Sequence, residues 1–172
     1  KLLLDSLQAD DTVAIVTYAG SAGVALPATK VSEKSKIINA LDSLGVGGST
    51  AGAQGIKTAY QLAEDNFDKN GVNRVILATD GDFNVGITNQ EELKSFIERK
   101  RDSGVFLSVL GFGRGNYNDA LMQTLAQNGN GNAAYIDSLN EARKALVEEA
   151  SSTLFTIAKD VKIQEEFNPL QV

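Results

Sequence analysis

Hydrophobic positions along the chain alternate between short continuous runs and runs with helical spacing. The continuous apolar runs at residues 74–79 and 105–110 are typical of parallel strands that are buried on both faces. Between such runs, apolar residues return at the i, i+3, i+4 spacing of an amphipathic helix, as at Ile56, Ala59 and Tyr60. This alternation of strand and helix predicts an α/β domain with a mainly parallel sheet flanked by helices.

The same pattern sets approximate bounds for each element. Strands are predicted over residues 12–18, 23–27, 74–79, 105–110 and 133–136. Helices are predicted over residues 33–44, 51–67, 89–103, 118–127 and 140–154. Gly104 is expected to end the third of these helices, because glycine commonly follows the last helical residue.

The two ends of the chain differ in character from its middle. Residues 161–167 (VKIQEEF) are predicted to form a strand that Asn168 and Pro169 break. Because this strand follows a finished α/β unit, it either opens a neighbouring module or adds an edge strand. The predicted division is therefore a domain over residues 1–157 and a separate segment over 158–172. The chain starts at Lys1 inside a helical pattern, so we expect it to be a piece of a longer protein.

Composition excludes several kinds of chemistry. The 172 residues include no His and no Cys, so this chain cannot supply a Ser-His-Asp triad, a thiol nucleophile, a classical zinc site or a disulfide. Its 16 basic and 22 acidic residues give a net charge of −6 without a basic cluster, so no nucleic-acid partner is expected. No apolar run approaches the about 20 residues of a membrane-spanning helix.

Two polar residues are candidates for a site at one edge of the predicted sheet. Asp80 follows the apolar strand at 74–79 directly, and Thr50 opens the helix whose far end leads back into that strand. Because sites in α/β sheets collect at the carboxyl ends of the strands, we expect both side chains at the same edge. A hydroxyl, a carboxylate and water suit Mg²⁺. The alternative is purely structural, with Thr50 as a helix cap and Asp80 as a turn residue.

An enzymatic alternative starts from Asp80 and Asp82. A D-x-D motif after a buried strand resembles the haloacid dehalogenase superfamily, in which the first Asp attacks phosphorus and the second acts as acid/base. That chemistry also needs a Lys and a further acidic pair on later strand ends. The later loops offer Arg114, Asn116 and Asp137 instead, so the composition of these loops disfavours an aspartate-based phosphatase.

Three segments, taken in order, resemble the von Willebrand factor type A domain. They are Gly47-Gly48-Ser49-Thr50, then Ile76-Leu77-Ala78-Thr79-Asp80-Gly81, then residues 105–113, and the resemblance covers about residues 1–154. Longer stretches (VILATDGDFNVG, GVFLSVLGFGRGNYND and GNGNAAYIDSLNEARK) resemble a bacterial branch of the family that carries a further C-terminal domain. The stretch TLFTIAKDVKIQEEFNP resembles the junction to that domain, which favours the neighbouring-module interpretation of the tail.

The resemblance implies a doubly wound, Rossmann-like parallel sheet with a metal-ion-dependent adhesion site. In the family, an Asp-x-Ser-x-Ser loop, a Thr and a second Asp hold Mg²⁺, Mn²⁺ or Ca²⁺, and an acidic side chain of a protein partner completes the shell. Thr50 and Asp80 match the family's Thr and second Asp. The implied function is a non-enzymatic binding or adhesion module; the alternative is a scaffold domain without a metal. Family members of this branch imply an extracytoplasmic location, in the cell envelope or secreted.

The sequence departs from the family pattern in one respect. It contains no Asp-x-Ser-x-Ser, the loop that in the family follows the first, central strand. The resemblance therefore implies that this chain lacks that strand and binds metal weakly or not at all. The family's sheet would place the strand between residues 12–18 and 74–79. Because unpaired backbone groups are costly to bury, we expect these two strands to pair directly. The other candidates for the position are residues 161–167 and a neighbouring chain.

Overall fold

A computed structural model of the chain describes residues 1–18, 23–45, 52–79, 90–112 and 119–149. The strands are β1 (Thr12–Thr17), β2 (Gly23–Lys30), β3 (Asn73–Thr79), β4 (Val105–Phe112) and β5 (Ala133–Ile136). The helices are α1 (Lys34–Asp42), α2 (Gly52–Asp65), α3 (Gln90–Asp102), α4 (Asp119–Asn128) and α5 (Leu139–Arg143). Single 3₁₀ turns cover Leu2–Asp5 and Val31–Glu33, and a π-helical segment over Lys144–Glu149 follows α5.

The second part of the chain forms the predicted parallel sheet, with strand order β3-β4-β5. β3 and β4 pair in unbroken register from Asn73 opposite Val105 to Thr79 opposite Gly111. Side chains of α2, α3 and α4 pack with those of β3 and β4 in one core cluster. Its fully buried members include Tyr60, Leu93, Ile97, Val105, Leu107, Val109 and Met122. The prediction of an α/β fold with a parallel sheet and flanking helices is confirmed.

Local sequence explains how α3 and β4 are joined. Glu91 and Glu92 lie in the first turn of α3 and three basic residues in its last turn, the distribution that complements the helix dipole. The helix then ends at Gly104, whose φ of +93° is a backbone conformation that glycine adopts without strain. The predicted end of this helix is confirmed.

The first part of the chain forms an antiparallel hairpin of β1 and β2. Thr12 pairs with Lys30 and Thr17 with Gly23, and the register shifts between these ends. β2 runs past Pro27 to Lys30, so the prediction that this strand ends at Pro27 was wrong. Pro27 pairs with no residue of β1, and a proline that need not donate a ladder hydrogen bond is tolerated within a strand. The hairpin, α1 and the first 3₁₀ turn share a second core cluster built on Leu4, Leu26, Val31 and Ile37.

The expected direct pairing of β1 with β3 was also wrong. Among the described residues, β1 pairs with β2 and β3 pairs with β4, in two separate sheets. Helix α2 packs against both β1 and β3. Instead of a backbone ladder, the Tyr18 hydroxyl donates a hydrogen bond to the carbonyl oxygen of Ala78. Paired strands lie roughly 4.8 Å apart. A tyrosine side chain is longer than this spacing, so it can connect two strands that are too far apart to pair.

Several predicted features lie outside the described residues: Thr50, Asp80, Asp82, Arg114, Asn116, the strand at 161–167 and the division near residue 157. They stay predictions. Within the described ranges, no helix combines the length and the apolar composition that crossing a membrane requires.

Candidate functional site

The candidate site is the sheet edge formed by the carboxyl end of β3. Thr79, the last residue of β3, is buried, and the chain continues from it directly into Asp80. Helix α2 begins at Gly52, two positions after Thr50. The two predicted ligands themselves are not among the described residues, but the residues that flank them are.

Tyr18 connects the elements that flank this edge. It follows the carboxyl end of β1, and its hydroxyl donates to the carbonyl oxygen of Ala78 at 2.5 Å, one residue before the end of β3. Its Cβ lies only 2.5 Å from the position that a Cβ on Gly55 would take, so the first turn of α2 packs directly against it. The first turn of α2 and the last residues of β3 therefore meet at one end of the fold.

Glycine at position 55 makes this close approach possible. Any larger residue would push α2 away from Tyr18, because the Cβ would overlap the tyrosine side chain. Ala53, also in the first turn of α2, lies in the same core cluster as Leu77 of β3. The small residues at the start of α2 thus let the helix approach Tyr18 closely, and they place Ala53 in the core that β3 shares.

Sequence reasoning missed the role of Tyr18. A signal was present, because a glycine inside a helical pattern often marks a close backbone approach. The partner of Gly55 could not be named from the sequence, since it lies just after β1, 37 positions earlier in the chain. The contact depends on how α2 crosses β1, and no local pattern specifies that crossing.

The described residues do not by themselves form a cation site. Within the described ranges, no group of three or more Asp, Glu, His or Cys side chains could hold a metal ion. Mg²⁺ and Ca²⁺ prefer oxygen ligands that include carboxylates. Thr50 and Asp80 would add one hydroxyl and one carboxylate, which is less than the family's full set of ligands. The sequence also contains no Asp-x-Ser-x-Ser, so the described residues together with Thr50 and Asp80 do not fit a complete adhesion site.

The described groups whose pKa is clearly shifted are not part of this edge. A hydrogen bond from Lys34 lowers the pKa of Asp5. Burial raises the pKa of the Tyr60 hydroxyl and lowers that of Arg74, whose guanidinium donates to Ser108 Oγ at 2.7 Å. These shifts are explained by burial and pairing within the fold.

The phosphatase alternative gains no support from the described residues. Of the polar residues considered for it, Asp137 is described, and it is exposed just after β5. Asp80, Asp82, Arg114 and Asn116 lie outside the described ranges. That alternative remains a disfavoured prediction.

Comparisons with known proteins identify relatives of the whole chain. The chain is 51% identical over all 172 residues to the uncharacterized protein YfbK of Escherichia coli (strain K12), and it spans 30% of that protein's length. A solved structure of the conserved hypothetical protein BatB from Bacteroides thetaiotaomicron superposes with a TM-score of 0.69 at 23% identity, covering 87% of this chain and 82% of that one. These similarities show the fold without assigning an activity.

A further solved structure bears on metal binding in this fold. Proximal thread matrix protein 1 from the mussel byssus, with a zinc-occupied MIDAS motif, superposes with a TM-score of 0.63 at 20% identity, covering 87% of this chain and 40% of that one. The family model for the von Willebrand factor type A domain matches residues 1–149. Members of this family often mediate metal-dependent protein interactions. The chain belongs to the von Willebrand factor type A domain family.

Proposed function

We propose that this chain is the main part of a non-enzymatic module that binds a protein partner through a divalent cation. The cation would lie at the carboxyl edge of the sheet, with Thr50 and Asp80 among its ligands. The observation that carries the proposal is the meeting of the first turn of α2 with the end of β3 around Tyr18. It supports placing the two ligands on one edge, because each lies within two positions of a described element end.

In this proposal the remaining ligands come from an Asp-x-Ser-x-Ser loop that this sequence does not contain. In the family that loop follows a central strand. The described β1 and β3 are not paired with each other, which supports the idea that a strand carrying this loop inserts between them. With that loop in place, the cation would take a carboxylate of the protein partner as a further oxygen ligand.

Calorimetry with Mg²⁺ and Mn²⁺ tests this proposal on two chains. One is this chain, and the other extends upstream to include an Asp-x-Ser-x-Ser strand. We expect the long chain to bind and this chain to bind weakly or not at all. Thr50→Val and Asp80→Asn should each weaken binding by the long chain by more than about tenfold, because each removes an oxygen ligand.

Matched controls separate loss of a ligand from loss of fold. Thr58→Val removes a hydroxyl from the middle of α2, and Asp10→Asn removes an exposed carboxylate before β1. Both should leave metal binding by the long chain unchanged. Tight binding by this chain alone would contradict the incomplete set of ligands, and no binding by the long chain would remove the metal function. Hydrolysis of an aryl phosphate that is lost in Asp80→Asn would instead support the phosphatase.

A scaffold domain without metal function is the second candidate. It is favoured by the missing Asp-x-Ser-x-Ser and by the lack of a metal-ligand group among the described residues. Finding no Asp-x-Ser-x-Ser upstream in the parent gene would support it. For either function we propose an extracytoplasmic location, and fractionation of cells that express the full parent protein, with periplasmic and cytoplasmic marker proteins, would test that location.

A further inference from the structure

The chain contains three Asn-Gly pairs in described segments, at Asn70-Gly71, Asn128-Gly129 and Asn130-Gly131. An Asn-Gly pair is chemically labile, because glycine leaves the following backbone nitrogen sterically open to the asparagine side chain. Whether a pair reacts in a folded protein depends on whether that nitrogen and the side-chain amide can approach each other. The three pairs differ sharply in this respect.

Asn128-Gly129 is held by hydrogen bonds on both reacting groups. The Asn128 side-chain amide donates to the carbonyl oxygen of Thr124 at 2.7 Å. The Gly129 nitrogen donates to the carbonyl oxygen of Leu125 at 3.0 Å, and Gly129 is buried. A nucleophilic nitrogen and a mobile amide are therefore both unavailable in the folded state.

Asn130-Gly131 is held by its backbone. The Gly131 nitrogen donates to the carbonyl oxygen of Ala126 at 2.9 Å. A Cβ on Gly131 would lie 2.0 Å from the Leu107 carbonyl oxygen, so this backbone is pressed against β4. Rotation of the Asn130-Gly131 peptide would break both contacts, and this pair should react only after local unfolding.

Asn70-Gly71 lies at the exposed tip of the turn between α2 and β3. Among the hydrogen bonds of the described residues, none involves the Asn70 side chain or the Gly71 nitrogen. The base of the turn is held, because the Asp68 backbone N–H donates to Asn73 Oδ1 and Asn73 Nδ2 donates to the Asp68 carbonyl oxygen, at 2.9 and 2.8 Å. At the tip, the Asn70 backbone N–H donates to Asp68 Oδ1 at 2.9 Å, and Gly71 lies against the Asp68 carboxylate. Neither contact engages the Asn70 side-chain amide or the Gly71 nitrogen, which are the two groups that react.

We propose that, of the three Asn-Gly pairs, Asn70-Gly71 is the one that deamidates spontaneously in the folded chain. The Gly71 nitrogen attacks Asn70 Cγ, a C–N bond forms, and the Cγ–Nδ2 bond breaks. The proton lost from the Gly71 nitrogen leaves with the amide as ammonia. Water then opens the resulting cyclic imide at either carbonyl, which gives aspartate or isoaspartate at position 70. The net reaction consumes one water and releases one ammonia, and it adds one negative charge.

The position of the modification limits its effect. Asn70 precedes the amino end of β3, whereas the candidate metal edge lies at the carboxyl end of that strand. Deamidation at Asn70 is therefore expected to change the charge and the backbone of the α2–β3 turn without touching Thr79 or Tyr18.

Peptide mapping by mass spectrometry tests the proposal on the whole chain. The folded protein is incubated in mildly alkaline buffer, and conversion is followed at all three pairs in the same sample. We expect conversion at Asn70 to exceed that at Asn128 and Asn130 by more than about tenfold, because the latter two need local opening. In guanidinium chloride the three pairs should convert within about threefold of one another, since protection is lost on unfolding.

Two variants complete the test. Asn70→Ser should abolish the new acidic species in the folded protein, and Gly71→Ala should slow its formation, because a side chain at position 71 hinders the attacking nitrogen. Asn128→Ser is the matched control and should leave the amount of acidic species unchanged. Equal or faster conversion at Asn128 or Asn130 in the folded chain would overturn the proposal, as would the persistence of the acidic species in Asn70→Ser.

Discussion

The two sheets of this domain are built in different ways. The three-stranded sheet joins α2, α3 and α4 in a core whose side chains are largely excluded from solvent, with Leu93, Ile97 and Leu107 fully buried. In the smaller cluster of the β1–β2 hairpin, Ile37 is fully buried, while Leu4 and Val31 keep 6% and 7% of their surface. The comparison teaches that burial is deepest where a parallel ladder is covered by several helices.

Register shows the same contrast. β3 and β4 pair without interruption over the whole of Asn73–Thr79, and each residue faces one partner. The β1–β2 register shifts on both sides of Ile15, so the hairpin contains local irregularities. Such bulges bend a strand and increase its twist. The β1–β2 ladder is therefore less regular than the β3–β4 ladder.

The largest expected effect on the free energy of unfolding comes from truncating a leucine in the core cluster around β3 and β4. Leu107→Ala removes a fully buried side chain between β4 and the Gly129–Gly131 turn, and it should lower the free energy of unfolding by about 3–5 kcal/mol. Leu26→Ala, the matched change in the hairpin cluster, should cost less, about 2–3 kcal/mol. Chemical denaturation of both variants measures the difference.

An exposed residue provides the control for that pair. Val24 in β2 is 48% exposed, so Val24→Ala should change the free energy of unfolding by no more than about 0.5 kcal/mol. The expected difference between the two core clusters would be contradicted if Leu26→Ala destabilised the chain as much as Leu107→Ala. The hairpin cluster would then contribute as much to the free energy of unfolding as the more deeply buried cluster around β3 and β4.

The sequence was sufficient for the parts of the fold that local patterns determine. The run at 74–79 was correctly predicted as a parallel strand, but its predicted burial on both faces was wrong, because only Leu77 and Thr79 are buried and Ala78 is exposed. Gly104 was correctly predicted to end α3, because a glycine after the last helical residue is a local signal. The end of β2 at Pro27 was mispredicted, because whether proline interrupts a strand depends on which side its partner strand lies. That information is not local.

The arrangement between elements was less predictable for the same reason. β1 and β3 are not paired with each other, although α2 packs against both and the Tyr18 hydroxyl reaches the carbonyl oxygen of Ala78. The family was identified from motifs around Thr50 and Asp80, and the match over residues 1–149 confirms it. The role of these two residues as ligands stays a prediction, because they lie outside the described residues and the sequence contains no Asp-x-Ser-x-Ser.

A substitution at Gly55 should loosen the contact between α2 and Tyr18. Gly55→Ala would place a Cβ 2.5 Å from Tyr18 Cβ, so we expect a loss of about 1–3 kcal/mol from displacement of α2 or β1. In an unhindered helix the same substitution stabilises by about 0.5–1 kcal/mol, so the sign of the effect is diagnostic. Gln54→Ala, on the exposed side of α2, is the control and should be close to neutral. A stabilised Gly55→Ala variant would show that α2 is not tightly packed against Tyr18.

A smaller effect is expected when the hydrogen bond between Tyr18 and Ala78 is removed. Tyr18→Phe keeps the ring against Gly55 and deletes the donor to the Ala78 carbonyl oxygen, which should cost about 1 kcal/mol. Because Tyr18 and Gly55 touch, the combination of Tyr18→Phe with Gly55→Ala should be non-additive by more than about 0.5 kcal/mol. Thermal unfolding of the four proteins of this cycle measures the coupling. Simple additivity would mean that the helix contact and the hydrogen bond act independently.

The smallest effect at neutral pH is expected at Tyr60, in the larger core. Its ring is fully buried and meets Phe96 edge-to-face, with centroids 5.5 Å apart. Among the described residues its hydroxyl has no hydrogen-bond partner, and burial raises the pKa of that hydroxyl. Tyr60→Phe should therefore leave the free energy of unfolding within about 1 kcal/mol of the parent at pH 7, since it removes a buried polar group that lacks a partner.

Alkaline pH should separate the two proteins. In the unfolded chain this tyrosine ionises above about pH 10, whereas in the folded chain it stays protonated to higher pH. The folded state then binds more protons than the unfolded state, so the free energy of unfolding falls as pH rises through about 10. Tyr60→Phe removes this loss, and its denaturation midpoint should fall less between pH 9 and pH 11 than that of the parent. Tyr135→Phe, which removes the same atom from a ring that is 37% exposed, should follow the parent. Parallel curves for Tyr60→Phe and the parent would mean that this hydroxyl reaches water in the folded state, and the larger core would then be less closed than its buried side chains indicate.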